Sequence, residues 1–230
     1  IYSEITNLND NIEYFMNKRQ FSKLDEFIIH IDNLLGEFSK SGDREIQREY
    51  PAKSRPQPEL NEQEKKHVSG LMRVNHVGEI AAQALYKAQA LTAVDDELKK
   101  IMKQSADEEI DHLDWCEQRL NELDGHVSYL MPIWYLGSFG IGVLAGVFGD
   151  KWNLGFIAET EHQVVRHLEK HLEELPEGDE RSRAILEQMH EDESHHAAAA
   201  ETRGAKKLPE GIKRLMMLAS KLMTKTAYHI

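Results

Sequence analysis

Two segments of the chain repeat the same pairing of an acid with a histidine. Glu109 precedes His112 by three residues, and Glu193 precedes His196 by three residues. On an α-helix, such residues share a face with their Cβ atoms about 5–6 Å apart, so each pair can offer an oxygen and a nitrogen to one metal ion. Carboxylate suits hard cations and imidazole suits iron. One pair alone is typical of a solvated helix face, but the repeat predicts a metal site.

A carboxylate-bridged site for two metal ions in a helical bundle needs one further glutamate from each of two other helices. Glu79 is the candidate on the helix before Glu109. It lies among Val77, Ile80 and Ala81, where an acid that is neither paired nor metal-bound would be costly to bury. We therefore expect Glu79 to be a ligand.

Glu159 and Glu161 are the candidates on the helix before Glu193. The interval from Glu161 to Glu193 is 193 − 161 = 32 residues, close to the 109 − 79 = 30 residues from Glu79 to Glu109. Glu159 gives an interval of 193 − 159 = 34. We prefer Glu161, but the spacing alone leaves Glu159 open. Each interval fits one helix, a turn and part of the next, so the four ligand helices form two pairs.

An acid also precedes each of the paired glutamates. Metal-bound histidines usually donate their second ring N–H to a carboxylate or a carbonyl oxygen. Glu108 and Asp192 occupy matching positions in the two halves. We expect Asp192 to orient His112 and Glu108 to orient His196; the alternative is that both acids are merely solvated.

The elements that must position these residues are predicted to be helices throughout. Asn61 and Glu64 form a capping-box pattern that starts the first helix of a main domain. Asp124-Gly125, Pro176 and Gly204 punctuate the later helices. The predicted helices run over about 61–92, 95–123, 132–149, 152–175, 179–203 and from 209 onward. No strand pattern is convincing, so the predicted fold is an all-α bundle.

The region before the main domain divides into two parts. Residues 1–38 carry an apolar stripe at three- and four-residue steps, which predicts an N-terminal helical extension. Residues 39–59 contain three prolines and scattered charges, which is typical of a linker. The main domain then spans residues 60–230.

One segment of the main domain, residues 127–149, contains no charged residue. Its length of 149 − 127 + 1 = 23 residues would suffice to cross a bilayer. Pro132 and five glycines disfavour a simple spanning helix. We interpret it as a helix that is either buried or lies on a membrane surface.

Composition excludes several other classes. The chain has 230 residues with 28 Lys and Arg against 40 Asp and Glu, and a net charge of −12 disfavours nucleic-acid binding. A single cysteine, Cys116, excludes a disulfide framework and is expected to be a small buried apolar residue. No glycine-rich phosphate-binding motif of a Rossmann unit is present. We expect His171, His190 and His195 to be exposed.

Together with the two Glu-x-x-His pairs, several stretches of the main domain resemble the demethoxyubiquinone hydroxylase family, in particular its bacterial branch. The resemblance covers residues 60–230. The stretches that carry it are LMRVNHVGEIAAQALYKAQ (71–89), WYLGSFGIGVLAG (134–146), ETEHQVVRH (159–167) and LASKLMTKTAYHI (218–230).

This resemblance implies a ferritin-like four-helix bundle with additional interfacial and C-terminal helices, and a centre of two iron ions. It also implies hydroxylation of the ring of a 2-polyprenyl-3-methyl-6-methoxy-1,4-benzoquinol by O₂ in ubiquinone biosynthesis, with NADH as the electron donor. His167 matches a position assigned to the quinone pocket. A neighbouring tyrosine of mitochondrial relatives is Leu168 here, which weakens the case for a tyrosine relay. The implied ligands are Glu79, Glu109, His112, Glu161, Glu193 and His196.

The family further implies a peripheral enzyme on the cytoplasmic face of the bacterial inner membrane. Residues 127–149 would contact the membrane, and other ubiquinone-biosynthesis proteins or further copies of the chain would be partners. Two alternatives remain. One is another ferritin-like di-iron protein, for iron storage or for tRNA or protein modification. The other is a metal-free, membrane-associated helical scaffold.

Overall fold

The computed structural model describes residues 46–230, which form one compact unit. Within that range the secondary structure is helical and contains no strand, which confirms the all-α prediction. The predicted N-terminal helical extension and the first part of the linker lie outside the described residues. The helices are α1 (Glu62–Thr92), α2 (Asp96–Glu122), α3 (Met131–Val147), α4 (Asp150–Glu174), α5 (Glu180–Thr202) and α6 (Glu210–Ala227).

Side-chain caps fix where three of the four site-bearing helices begin, namely α1, α2 and α5. The Asn61 side chain accepts hydrogen bonds from the backbone of Gln63 and Glu64, while Glu64 accepts from the backbone N–H of Asn61. This confirms the predicted capping box. Asp95 caps α2 and Asp179 caps α5 in the same way. The register of each ligand pair is thus set from a defined helix start.

The helices that carry the predicted ligands pack as two pairs. α1 lies along α2, and α4 lies along α5, while contacts of α2 with α5 and of α1 with α4 close a four-helix bundle. One end of the bundle is filled by an apolar core that includes Trp115, Leu120, Leu168 and Ile185. The predicted pairing of helices is therefore confirmed.

α3 is the uncharged helix, and it packs along α1 with Tyr135 and Phe139 buried. The start of α3 and the end of α6 meet, because Met131, Trp134 and Met223 pack around Val74 and Val77 of α1. Within residues 46–230, no helix combines the length and the apolar character needed to span a membrane. Large exposed apolar side chains on or beside these two helices are Ile133, Leu136, Ile141, Leu144, Val147, Phe148, Leu215, Met217, Leu218 and Leu222.

The described part of the predicted linker, residues 46–59, contacts the helical bundle without forming a helix or a strand. Ala52 is fully buried in the core, and Tyr50 packs against it. Arg181 of α5 donates a hydrogen bond to the carbonyl of Arg55 at 2.6 Å. From residue 46 onward this segment is therefore anchored on the domain.

Two predictions about single residues have opposite outcomes. Cys116 is fully buried, and burial raises the pKa of its thiol, so it is the apolar packing residue that was expected. His171 was expected to be exposed, and this was wrong. It is buried on α4, and its ring packs against that of His167 with centroids 4.0 Å apart.

Candidate metal centre

Four residues from three helices place potential ligand atoms within 4.8 Å of one another at the centre of the bundle. They are Glu79 of α1, Glu109 and His112 of α2, and Glu193 of α5, and all four are buried. Each was predicted as a ligand from its spacing. The structure thus brings together side chains that are up to 193 − 79 = 114 positions apart in the sequence.

His112 is surrounded by three of the glutamates. Its Nδ1 atom lies 3.0 Å from Glu109 Oε2, 3.1 Å from Glu193 Oε1 and 3.7 Å from Glu79 Oε2. The short distance to Glu109 is the one expected for residues three apart on a helix. The same nitrogen faces carboxylates from both helix pairs, which is the arrangement a shared metal site requires.

His196 occupies the corresponding place in the second half. Its Nδ1 atom lies 3.1 Å from Glu193 Oε2 and 3.6 Å from Glu109 Oε1. Glu109 and Glu193 therefore each direct one oxygen to His112 and the other to His196. Two carboxylates that span two imidazoles in this way can bridge two metal ions.

The outer nitrogens of both histidines contact the acids that were predicted to orient them. His112 Nε2 lies 2.8 Å from Asp192 Oδ2, and His196 Nε2 lies 2.8 Å from Glu108 Oε2. In each case the ring N–H donates to an acid from the opposite helix pair. This confirms the predicted contacts, and it leaves each Nδ1 directed at the acid cluster.

Glu161, rather than Glu159, faces the cluster. Glu161 is buried, and its Oε1 atom accepts a hydrogen bond from the hydroxyl of Tyr86 at 2.6 Å, while the ring of Tyr86 meets that of His196 edge to face. Glu159 instead contacts Lys213 of α6 at 3.0 Å. The directions of these two side chains on α4 therefore decide between the two candidates that the spacing left open.

Charge explains why this cluster suits cations. Burial, together with neighbouring carboxylates, raises the pKa values of Glu79 and Glu161 well above the ordinary range. Burial also opposes the charged form of Glu193, but hydrogen bonds from His112 and His196 outweigh it and lower its pKa. Four buried acids in contact cannot all be anionic unless positive charge lies among them. Divalent ions would supply that charge.

The buried oxygen atoms support the same conclusion. Glu109 Oε1 is buried and accepts no hydrogen bond, although a buried carboxylate oxygen normally has a partner. The donor set of four carboxylates and two imidazoles has the composition of a two-metal carboxylate site. The residues present therefore fit a pair of iron ions.

Tyr86 is a site residue that the sequence reasoning missed. It lies seven residues after Glu79, which is two helical turns and thus the same face of α1, so the spacing carried a usable signal. Beside it a narrow cleft between α1 and α4 reaches Glu161. The cleft is lined by Ala82, Leu85, Tyr86, Gln89, Ile157, Thr160 and Glu161.

His167, which the resemblance assigned to the quinone pocket, lies six residues beyond Glu161 on α4. Six residues correspond to a rotation of about 120° away from Glu161 around the helix axis. Its ring contacts His171, and its Nε2 atom is buried without a hydrogen-bond partner. Burial, followed by the charge of Lys170, lowers the pKa of His167 to about 4. A role for His167 at the centre stays a prediction.

Comparison with known proteins identifies the group to which this arrangement belongs. The family model described as "Ubiquinone biosynthesis protein COQ7" matches residues 66–227. The chain belongs to this family. All six predicted ligands lie within the matched range, and membership of the COQ7 family confirms the resemblance that the sequence motifs indicated.

Curated bacterial relatives of this COQ7-family chain are similar over most of its length. A protein of Nitrosococcus oceani is 53% identical over 215 residues, which cover 94% of this chain and all of the relative. A protein of Legionella pneumophila is 52% identical over 212 residues, covering 92% of this chain and all of the relative. A protein of Polynucleobacter necessarius is 50% identical over 210 residues, which cover 91% of this chain and all of the relative. Each relative is named 3-demethoxyubiquinol 3-hydroxylase.

Proposed function

We propose that this chain is a monooxygenase that hydroxylates position 3 of a demethoxyubiquinol ring, using O₂ and two iron ions. The observation that carries the proposal is the convergence of both Glu-x-x-His pairs on one buried centre. Relatives with about half of their residues identical bear the name of this activity. The proposed iron ligands are Glu79, Glu109, His112, Glu161, Glu193 and His196.

The iron ions would supply the chemistry that amino-acid side chains lack. When bound in the reduced state, they provide electrons for the activation of O₂. Glu109 and Glu193 would each help to hold both ions, because each faces both histidines. Glu79 would complete the His112 side, since it lies 3.7 Å from that ring, and Glu161 would complete the His196 side.

The protein's own side chains prepare the centre in three ways. Asp192 and Glu108 hold the rings of His112 and His196 so that each Nδ1 faces the acids. The hydroxyl of Tyr86 donates a hydrogen bond to Glu161 Oε1 and so orients that carboxyl group at the wall of the cleft. The side chains that line the cleft beside Glu161 are mainly apolar and would limit the access of bulk water to the centre.

The proposed substrate has a polyprenyl tail and must therefore be taken from a lipid bilayer. The apolar face of α3 and α6 supports such a contact, because Leu144 and Leu218 both expose most of their side chains. Arg214, Lys221 and Lys225 lie exposed on α6, where they would attract anionic lipid headgroups. α3 also packs on α1, the helix that forms one wall of the cleft. Residues 127–149 would thus guide the ring from the membrane toward the centre.

The resemblance also supports proposals about the electron donor, location and assembly. NADH is the proposed source of electrons, and the cytoplasmic face of the bacterial inner membrane is the proposed location. Other ubiquinone-biosynthesis proteins and further copies of the chain are the proposed macromolecular partners. The electron donor and the partner proteins are each tested by adding them to the purified enzyme on lipid vesicles and measuring hydroxylation.

Iron analysis of the purified protein, paired with a quinone profile of cells that lack it, tests the main proposal. We expect two irons per chain and accumulation of the demethoxy quinone. Glu109→Ala and His196→Ala should abolish both iron binding and hydroxylation, whereas Asp107→Ala, which alters an exposed acid on α2, should affect neither. Stoichiometric zinc, or a metal-free protein, would defeat the proposal. A quinone profile that is unchanged in cells carrying the ligand variants would favour the scaffold alternative.

A further inference from the structure

Arg48 reaches the surroundings of the metal centre from the segment that precedes α1. Its Nε atom lies 2.9 Å from Asp111 Oδ2, and its Nη1 atom lies 2.6 Å from Asp192 Oδ2. The two acids belong to α2 and α5, so one guanidinium joins both helix pairs. Hydrogen bonds between two ionised groups are among the stronger polar contacts in proteins.

Further contacts hold this guanidinium in place. It lies over the ring of the buried Trp115, 4.7 Å from the ring centroid. The backbone N–H of the preceding residue, Gln47, donates to the other oxygen of Asp111 at 2.9 Å. Arg48 is thus fixed by its neighbour's backbone, an aromatic face and two acids, although about a third of its side chain (36%) is exposed.

Arg48 and the predicted ligand His112 share one oxygen atom. Asp192 Oδ2 accepts from Nη1 of Arg48 at 2.6 Å and from Nε2 of His112 at 2.8 Å. A carboxylate that accepts from the outer ring N–H of a ligand histidine makes that imidazole a stronger donor to the metal. A guanidinium on the same oxygen draws negative charge away from the imidazole and opposes this effect.

Among residues 46–230, no lysine or arginine side chain contacts the acid in the matching place of the other half. Glu108 Oε2 accepts from His196, and its Oε1 atom accepts from the neutral amide of Gln104 at 2.9 Å. The Glu108 side chain is 38% exposed, whereas that of Asp192 is 15% exposed. Each histidine therefore has a carboxylate partner, but a cation offsets the charge of Asp192, whereas a neutral amide contacts Glu108.

From this asymmetry we infer that Arg48 is a positioning residue that acts on His112 through Asp192 and makes the two metal positions inequivalent. The inference rests on the proposed di-iron centre. By weakening the donor strength of His112, Arg48 favours the ferrous state of the iron on that side. Loss of its charge should therefore lower the midpoint potential of the centre, since a more strongly donating ligand stabilises ferric iron.

The test compares the full-length iron-loaded protein with Arg48→Met and Arg48→Lys. Methionine keeps an apolar contact with Trp115 but removes the charge, and lysine keeps the charge. Lys53→Gln is the matched control, because Lys53 lies in the same segment and, within residues 46–230, forms its ion pair with the exposed Glu49. Midpoint potentials are measured in poised redox titrations followed by electron paramagnetic resonance, and iron stoichiometry and thermal unfolding are recorded for each variant.

We expect a lower midpoint potential in Arg48→Met at unchanged iron stoichiometry, and potentials near wild type in Arg48→Lys and Lys53→Gln. Equal potentials in wild type and Arg48→Met, with two irons bound in both, would overturn this inference alone. A wild-type chain that binds no iron would overturn the proposed function and this inference with it. If Arg48→Met does not fold, Asp111→Asn replaces it. In Asp111→Asn the guanidinium keeps its ion pair with Asp192 alone, so the midpoint potential of the centre should rise. An unchanged midpoint potential would overturn the inference.

Discussion

The hydroxyl of Tyr86 donates a hydrogen bond to Glu161 Oε1 at 2.6 Å, with both side chains buried between α1 and α4. Burial, followed by the charge of Glu161, raises the pKa of this phenol well above its ordinary value, so it keeps its proton. The hydrogen bond fixes one oxygen of Glu161. In Tyr86→Phe, the packing is retained and only this donor is lost. We expect iron affinity to fall about tenfold, as for other groups that orient a metal ligand.

Anaerobic titration with ferrous iron measures this change. Tyr129→Phe is the control, because Tyr129 is largely exposed and lies in the loop before α3. It should bind iron as the wild type does. Wild-type affinity in Tyr86→Phe would mean that Glu161 is held without the phenol.

The centre could be predicted because its information is local. A Glu-x-x-His pair needs only a helix to place both side chains on one face, and its repetition at intervals of 30 and 32 residues implied two similar helix pairs. Choosing between Glu159 and Glu161 required the structure. Both lie on α4 and both are buried, and only their packing against α6 or α1 separates the ion pair of Glu159 with Lys213 from the contact of Glu161 with Tyr86.

Contacts that no repeated sequence pattern marks could not be predicted. Arg48 is 192 − 48 = 144 residues from Asp192, and nothing in the pattern of residues 39–59 pairs them. Those residues have the prolines and charges of a linker, yet residues 46–59 pack on the bundle. His171 failed as a prediction for the same reason. A histidine among charged residues is typical of a solvated helix face, and only the contact with His167 shows that it is buried.

Removal of the acids that orient the histidines should weaken metal binding unequally. Asp192→Ala is expected to lower iron affinity about 10–100-fold, because His112 Nε2 loses a partner that is only 15% exposed. Glu108→Ala should lie toward the lower end of that range, since water can replace its half-exposed carboxylate beside His196. Iron titrations of both variants measure the difference.

Exposed acids on the same helices provide controls for these two variants. Asp107→Ala on α2 and Glu187→Ala on α5 remove the same charge without touching a histidine. They should bind iron with wild-type affinity. Equal losses in all four variants would show that net charge, rather than ring orientation, governs binding.

Metal binding should release protons and strengthen as pH rises. Burial lowers the pKa of His196, but the hydrogen bond to Glu193 and the nearby carboxylates outweigh it and raise the pKa to about 11. Burial raises the pKa of Glu79 well above its ordinary value, which favours its protonated form in the metal-free protein. Ligation requires the deprotonated forms, so each proton released adds about tenfold in affinity per pH unit.

Calorimetric titration in two buffers of different ionisation enthalpy counts these protons directly. Between about pH 6 and about pH 8, we expect net release and rising apparent affinity. His196→Ala should release fewer protons as well as bind more weakly. Binding heats that do not depend on the buffer would contradict the prediction.

The close approach of α3 to α1 depends on two glycines. A Cβ atom at Gly142 would lie 2.8 Å from Ala88 Cβ and 2.9 Å from the carbonyl oxygen of Leu85, and one at Gly146 would collide with the hydroxyl of Thr92. Backbone atoms cannot yield as a flexible side chain can. Gly142→Ala should therefore destabilise the protein by about 1–3 kcal/mol, as overpacking does.

Other glycines of α3 provide the comparison for this stability measurement. A Cβ atom at Gly137 or Gly140 would meet nothing within 4 Å. Alanine at either position should leave stability unchanged or raise it by up to about 1 kcal/mol through helix propensity. Chemical denaturation measures all three variants. A Gly142→Ala protein as stable as Gly137→Ala would show that α3 shifts freely on α1.

The apolar face of α3 and α6 should determine membrane binding. Leu144 and Leu218 expose 64% and 60% of their surfaces. Burial of one leucine side chain in a bilayer contributes about 1.5–3 kcal/mol. Replacing it with a charge should therefore reduce partitioning of the protein onto vesicles by about tenfold or more. Leu144→Glu and Leu218→Glu should each weaken binding to vesicles of phosphatidylethanolamine and phosphatidylglycerol in a flotation assay.

Ile46→Glu is the control for membrane binding, because Ile46 is also an exposed apolar residue but lies in the segment that carries Arg48. It should float with vesicles as the wild type does. The two leucine variants should keep their iron, and they should lose hydroxylation of a long-tailed quinol more than that of a short-tailed, water-soluble one. Equal losses on both substrates would assign the leucines to the cleft rather than to the bilayer, because a soluble quinol reaches the centre without leaving a membrane.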